Sequence, residues 1–205
     1  MELELPIDIK KIINNSFIEE YKDFHVSGDT VLNISNIYIL KISTNTERLY
    51  KEYKKDEWFS KIIVSGKPVK FVIENNVAYY LREYIDGEAL CLPKYLNRPI
   101  LVVKLLKEAI NIFHSIDPKS CPFVVGDGDT VIHGDFCLPN ILIKEDRVVG
   151  FVDLGDAGVG DVWCDYAWCI WSLEYNLNSK DYTELLLNEL NIKFDKDKFI
   201  EYTKD

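Results

Sequence analysis

The sequence predicts an α+β fold of two lobes: an antiparallel sheet carrying one helix in the first half, and a mainly helical second half. Three observations lead there. Residues 31–84 are rich in β-branched and aromatic runs punctuated by Asn pairs, whereas apolar-periodic stretches dominate from residue 98 onward. A chain of 205 residues, at about 150 per domain, suits one large domain or two small lobes. The change of character near residues 84–87 sets a first lobe at 1–82, a hinge at 83–87 and a second lobe at 88–205.

Residues 8–14 carry a short helical pattern. Residues 31–42 read as two antiparallel strands with a turn at Ser35 and Asn36. From Thr46 to about residue 63 runs a charged amphipathic helix that turns Leu49, Tyr53, Trp58 and Phe59 toward the sheet and ends near Ser65, Gly66, Lys67 and Pro68. Residues 69–74 and 77–84 flank Asn75 and Asn76, a pair that tolerates positive φ, so they form a hairpin. In the second half, residues 98–116 form a long helix, residues 131–132, 141–144 and 148–152 are short β runs, and residues 162–202 hold several more helices.

Composition narrows the classes. With 47% hydrophobic and 28% charged residues the chain is globular, not disordered. Apolar runs such as 100–103 are broken by Lys104 and Lys107, so no membrane span is expected, and the acidic start of the chain is unlike a signal peptide. The reading is cytoplasmic. A net charge of −10 opposes nucleic acid and anionic lipid and suits a cationic small-molecule partner. Five cysteines without a C-x-x-C pair read as reduced core thiols, and His25, His114 and His133 have no zinc spacing.

The chemistry concentrates in residues 133–140, HGDFCLPN, and in Asp153 beyond them. Asp135 and Asn140 lie five positions apart, the interval between the base and the metal-binding Asn of the kinase catalytic loop. A loop of that length lets an Asp point at a substrate hydroxyl while an Asn at its far end turns to metal. The runs 141–144 and 148–152 pair about a turn near Asp146 and Arg147, so Asn140 and Asp153 emerge side by side. One amide oxygen beside one carboxylate suits magnesium shared with nucleotide phosphates. His133 reads as a brace for backbone near Asp153 rather than as an acid or base.

These residues, with the runs 150–161 (GFVDLGDAGVGD) and 113–122 (FHSIDPKSCP), resemble the aminoglycoside phosphotransferases, especially the 3'-phosphotransferases. The likeness extends to residues 40–42, 82–91 and 192–199. It implies the protein-kinase-like two-lobed fold and transfer of a γ-phosphoryl group from ATP or GTP, with magnesium, to a hydroxyl of an aminoglycoside or similar cationic molecule. By the resemblance Asp135 is the catalytic carboxylate, and Asn140 and Asp153 bind magnesium. Lys41 holds the phosphates and pairs with Glu52, six residues before Trp58, with Glu57 as the alternative partner. Ser27 and Gly28 match the loop that covers the phosphates, and backbone groups of Glu83 and Ile85 meet the adenine. Asp161 and Asp165 also match family positions; Asp165 reads as structural, and the tryptophans after it as core.

The chain departs from the family in two places. Only 15 residues separate Asp117 from His133, where the family inserts helices that wall its substrate site, and Asp156 stands where the family often has Arg. The replacement loop, with Asp127 and Asp129, reads as flexible: a surface turn or a contact for an ammonium-rich ligand. The alternatives are therefore a kinase for another small hydroxyl metabolite, or a nucleotide-binding protein without turnover.

Overall fold

Asn-rich turns organise the strands. Ser35 and Asn36 (φ 53° and 55°), Asn75 and Asn76 (51° and 60°), and Glu145 and Asp146 (51° and 57°) all take left-handed backbone, the geometry whose twist matches paired strands. The computed structural model describes residues 4–14, 16–20 and 29–204. The chain divides into Met1–Lys61 with Ser65–Asp86, and Ile62–Val64 with Gly87–Asp205.

The first unit contains α1 (Ile7–Ile13), β1 (Ile18–Glu20), β2 (Thr30–Ile34), β3 (Tyr38–Ser43), α2 (Thr46–Phe59), β4 (Pro68–Glu74) and β5 (Val77–Glu83). The strands form one antiparallel sheet in the order β1-β2-β3-β5-β4. Strand alternation sends Leu32, Ile34, Leu40 and Leu81 to one face, where Ile9 and Ile13 of α1 cover them. The opposite face, with Ala78 and Tyr80, packs on Leu49 of α2. Strand β1 has no strong strand pattern in the sequence; its pairing with β2 creates it. Helix α2 starts on Asn45, whose side chain accepts from the Arg48 amide (3.1 Å), and stops at Phe59 rather than near residue 63. The Lys61 amide turns back to the Trp58 carbonyl (3.1 Å), and the Val64 carbonyl accepts from the Phe151 amide (2.9 Å) as part of the second unit.

The second unit contains β6 (Glu88–Ala89), α3 (Pro93–Leu96), α4 (Pro99–His114), β7 (Thr130–Ile132), β8 (Ile141–Lys144), β9 (Arg147–Phe151), β10 (Gly158–Gly160), α5 (Val162–Leu177), α6 (Thr183–Leu190) and α7 (Lys196–Thr203). Its strands form β6-β8-β9 and β10-β7. The rings of Phe113, Phe136 and Phe151 meet edge-on at 5.3–6.1 Å, filling the core against buried residues of α4 and α5. Of the five free cysteines only Cys137 and Cys169 are buried; Cys91, Cys121 and Cys164 are half-buried, which corrects the reading of all five as core. Among the described residues no helix is long and apolar enough to cross a membrane.

Candidate active site

The loop after β7 is built to hold Asp135. The Asp135 amide donates to His133 Nδ1 (3.3 Å), which assigns the ring hydrogen to Nε2, and Nε2 donates to the Val152 carbonyl (3.0 Å). His133 is fully buried beside the rings of Phe113 and Phe136, and so braces backbone at both ends of the site. Gly134 sits at φ 83°, and a Cβ there would come within 2.5 Å of the Asp156 carbonyl oxygen. Only glycine fits.

A helix one layer away grips this loop. Asp165, fully buried in the first turn of α5, accepts from the amides of His133 and Gly134 (2.9 Å each) and from His114 Nε2 (2.9 Å). Two turns on, Ser172 Oγ accepts from the Leu138 amide (3.0 Å). Asp165 is thus structural, as its place opening a helix suggested; His114 stood in the sequence only within the run 113–122, and Ser172 carried no signal.

Asn140 Nδ2 donates to the Asp135 carbonyl (3.0 Å) and to Asp135 Oδ2 (2.9 Å), which brings the two loop residues together. The β8–β9 hairpin continues in a bond from the Val152 amide to the Asn140 carbonyl (3.0 Å), so Asn140 and Asp153 leave adjoining strand ends. Asp153 takes left-handed backbone (φ 63°, ψ 50°), a conformation that costs a non-glycine residue energy. With its nitrogen turned to Asp135, Asn140 presents Oδ1, and Asp153 adds carboxylate oxygens. Such a pair suits a hard cation that draws further ligands from phosphate and water. Among the described residues no cluster of three or more His, Cys, Asp or Glu would hold a metal by protein alone.

In the first unit, Lys41 Nζ lies 2.6 Å from Glu52 Oε1, with both residues buried. Lys41 comes from the α2-facing side of β3 and Glu52 from the sheet-facing side of α2. Glu57, the alternative partner, is engaged elsewhere, by Tyr53 Oη (2.7 Å) and by Lys54. The Glu83 amide donates to the Lys67 carbonyl (2.8 Å). Ile85 lies two residues beyond the end of β5. Ser27 and Gly28 lie outside the described residues.

Two readings need correction. The tryptophans of α5 are not core: Trp168, Trp171 and Tyr175 recur at i, i+3 and i+7 on one face, with Trp171 stacked on Tyr175 (5.1 Å, 10°) and those two exposed. Asp127 and Asp129 are exposed, but their loop is tied rather than flexible. The Val125 amide donates to the Val159 carbonyl (2.9 Å) and the Val159 amide to the Phe123 carbonyl (2.8 Å), and a Cβ on Gly128 would lie 2.0 Å from the Gly160 carbonyl oxygen. Asp161 caps α5 through the Trp163 amide (2.9 Å) and also accepts from Lys198 Nζ (2.6 Å) and Tyr202 Oη (3.0 Å). Burial would raise its carboxyl; the Lys198 bond, the Trp163 amide and Tyr202 outweigh it and hold the carboxyl below its usual range. Cys164, whose thiol points to the Gly134 carbonyl (3.6 Å), is pushed up to about 12 by burial and by Asp165, Asp161, Asp135 and Asp156. The loop therefore stands in a negative field.

The fold and this loop are similar to those of small-molecule phosphotransferases. The model of the phosphotransferase enzyme family matches residues 125–187, which contain the whole loop. More particularly, the chain is a relative of the aminoglycoside phosphotransferases. It is 24% identical to a probable aminoglycoside 3'-phosphotransferase of Lactococcus lactis across 72% of each chain, and 26% identical to an aminoglycoside 3'-phosphotransferase of Enterococcus faecalis across 71% of this chain and 73% of that one. In fold it matches an aminoglycoside phosphotransferase of Streptomyces rimosus, solved in complex with ADP and streptomycin, with a TM-score of 0.78 at 17% identity over 95% of this chain and 93% of that one.

Proposed function

We propose that the protein transfers the γ-phosphoryl group of ATP or GTP, with magnesium, to a hydroxyl of an aminoglycoside or a similar amine-bearing molecule. The observation that carries this reading is the Asn140 bond to Asp135 Oδ2, which fixes the carboxylate so that an Asp135 oxygen can meet an acceptor hydroxyl. That oxygen takes the hydroxyl proton as the acceptor oxygen bonds to the γ-phosphorus and the bond to the β-γ bridging oxygen breaks, leaving the nucleoside diphosphate. Lys41, steadied by Glu52, holds the phosphates, and the Glu83 carbonyl and Ile85 amide take the adenine. Magnesium, held by Asn140, Asp153 and the phosphates, would offset their charge.

The carboxylates of Asp135 and Asp156 favour a cationic acceptor, and the exposed faces of Trp171 and Tyr175 can receive an ammonium group. The short connection between Asp117 and His133 favours a second reading, in which the chemistry is kept and the acceptor is another small hydroxyl compound.

The test is nucleoside-diphosphate release with a panel of aminoglycosides and small hydroxyl compounds, for the parent and Asp135→Asn. Loss of the base should cut turnover by roughly 10² to 10⁴ with nucleotide affinity unchanged. A parent that binds nucleotide yet turns over no faster than Asp135→Asn with every acceptor would leave a binding protein without turnover.

A further inference from the structure

The first unit buries a second carboxylate that the phosphate-holding pair does not use. Asp56 lies one helical turn beyond Glu52 on the sheet-facing side of α2, 2% exposed against 1% for Glu52. Across from it stand alternate residues of the sheet. Lys41 of β3 and Tyr80 of β5 are direct partners in the ladder, and Arg82 is two positions further along the same face. The Tyr80 hydroxyl donates to Asp56 Oδ2 (2.7 Å) and also lies 3.4 Å from the Gly66 carbonyl oxygen. Arg82 is buried and passes so close over Gly66 that a Cβ there would lie 2.3 Å from Nη1. The charged and titratable groups around Asp56 are thus Glu52 and the buried Lys55 on its own helix, Lys41 from β3, and Tyr80 and Arg82 from β5.

Burial, with the like charge of Glu52 behind it, pushes the Asp56 carboxyl up to about 7, against the pull of Arg82, the Tyr80 hydrogen bond and Lys41. Burial and Asp56 push Tyr80 far up, so its phenol keeps its proton. Each protonation state of Asp56 then has its own hydrogen-bond arrangement. Ionised Asp56 accepts from Tyr80. Protonated Asp56 donates to the Tyr80 oxygen, and the Tyr80 hydrogen turns to the Gly66 carbonyl.

We propose that Asp56, working through Tyr80 and Glu52, is a positioning residue for Lys41, and that loss of its proton to solvent weakens the hold of Lys41 on nucleotide phosphates. The inference rests on the phosphotransferase reading and on Lys41 as the phosphate holder. Ionised, Asp56 adds a full negative charge behind Glu52, which draws the Lys41 ammonium toward α2 and opposes the incoming phosphates. Neutral, it leaves Glu52 as the single opposing charge.

The experiment is calorimetric titration of the full chain with a non-hydrolysable ATP analogue and magnesium from pH 6 to 8, for the parent, Asp56→Asn and Tyr80→Phe. If nucleotide binding raises the Asp56 pKa by about half a unit to one unit, the parent Kd rises about two- to fivefold across that range. Asp56→Asn keeps an acceptor for Tyr80 without the charge, so its Kd stays at the parent's low-pH value throughout. Tyr80→Phe removes the bond that favours the ionised form and moves the step to higher pH, an outcome readable even if Asp56→Asn does not fold. A step of equal size in Asp56→Asn, or an unmoved midpoint in Tyr80→Phe, overturns the proposal, as does an Asp56→Asn that is merely less stable with the same pH dependence. A parent that binds with flat affinity overturns this inference alone. A parent that binds no nucleotide at any pH overturns the phosphotransferase reading and this inference with it.

Discussion

Replacing Asp165 by Asn tests how much of the active loop is held from α5. The carboxylate accepts three hydrogen bonds in a fully buried site, two from the amides of His133 and Gly134 and one from His114 Nε2. An amide of the same shape has one oxygen and one NH₂. If its nitrogen takes the place of Oδ1 it meets the Gly134 amide, and if it takes the place of Oδ2 it meets the His133 amide. Either way at least one buried N–H, and at the Oδ2 position also His114 Nε2, faces a donor and loses its partner, at a cost of about 1–3 kcal/mol for each. For a chain of this length each kcal/mol is worth about 2–4 °C, so each lost partner should lower the melting temperature by about 2–12 °C. The same loss loosens the loop at residues adjoining Asp135, and a displacement of about 1 Å at a reacting group can cost about 10² in rate. Thermal melting and diphosphate release, measured on parent and variant together, should both register the change. A variant that melts with the parent and keeps its turnover would show that α5 does not position the loop.

Gly134→Ala should be harsher than an ordinary turn substitution, because the backbone is at φ 83° and the new methyl would sit 2.5 Å from the Asp156 carbonyl oxygen; circular dichroism melting and turnover should both fall, and an unchanged loop would contradict the close approach. Asp153→Ala should abolish the magnesium dependence of nucleotide affinity more fully than Asn140→Ala, since a carboxylate neutralises charge where an amide lends only a dipole; equal dependence in the two variants, read by calorimetry, would remove the assignment. The raised Asp56 carboxyl also links stability to pH. Its folded value of about 7 lies above the ordinary 3.8, so the folded chain holds the extra proton between those values. The stability it contributes is therefore full below about pH 3.8 and is lost as pH rises through about 7. Melting temperatures across that window should fall more steeply in the parent than in Asp56→Asn, and parallel curves would refute the shift.

Much of the architecture was legible because it depends on neighbours in the chain. Asn75 and Asn76, or Ser35 and Asn36, adopt left-handed backbone for local steric reasons, and strands on either side pair as their alternation requires. The five-residue interval from Asp135 to Asn140, and the near-symmetry of Asn140 and Asp153 about the β8–β9 turn, made that part of the site readable in the same way. The end of α2 was less so. Nothing local distinguishes residues 60–63 from more helix, and beyond them the Val64 carbonyl accepts from the Phe151 amide instead of continuing a helix.

By itself the sequence determined the α+β class, the hairpins, the loop around Asp135 and the likeness to a phosphotransferase family, since short-range spacing and backbone preference carry each of these. Tertiary structure alone decided which of Glu52 and Glu57 meets Lys41, because both lie on one helix and only the docking of α2 on the sheet turns Glu52 inward. It alone decided that Asp165 grips the loop, 32 residues from His133, and that His114, 51 residues from Asp165, bonds the same carboxylate. It alone set the Trp171 and Tyr175 rings in solvent and Asp56 in the interior. Burial is a property of what packs against a residue, and a helix pattern rich in both charge and aromatic rings does not say which of its faces will be covered.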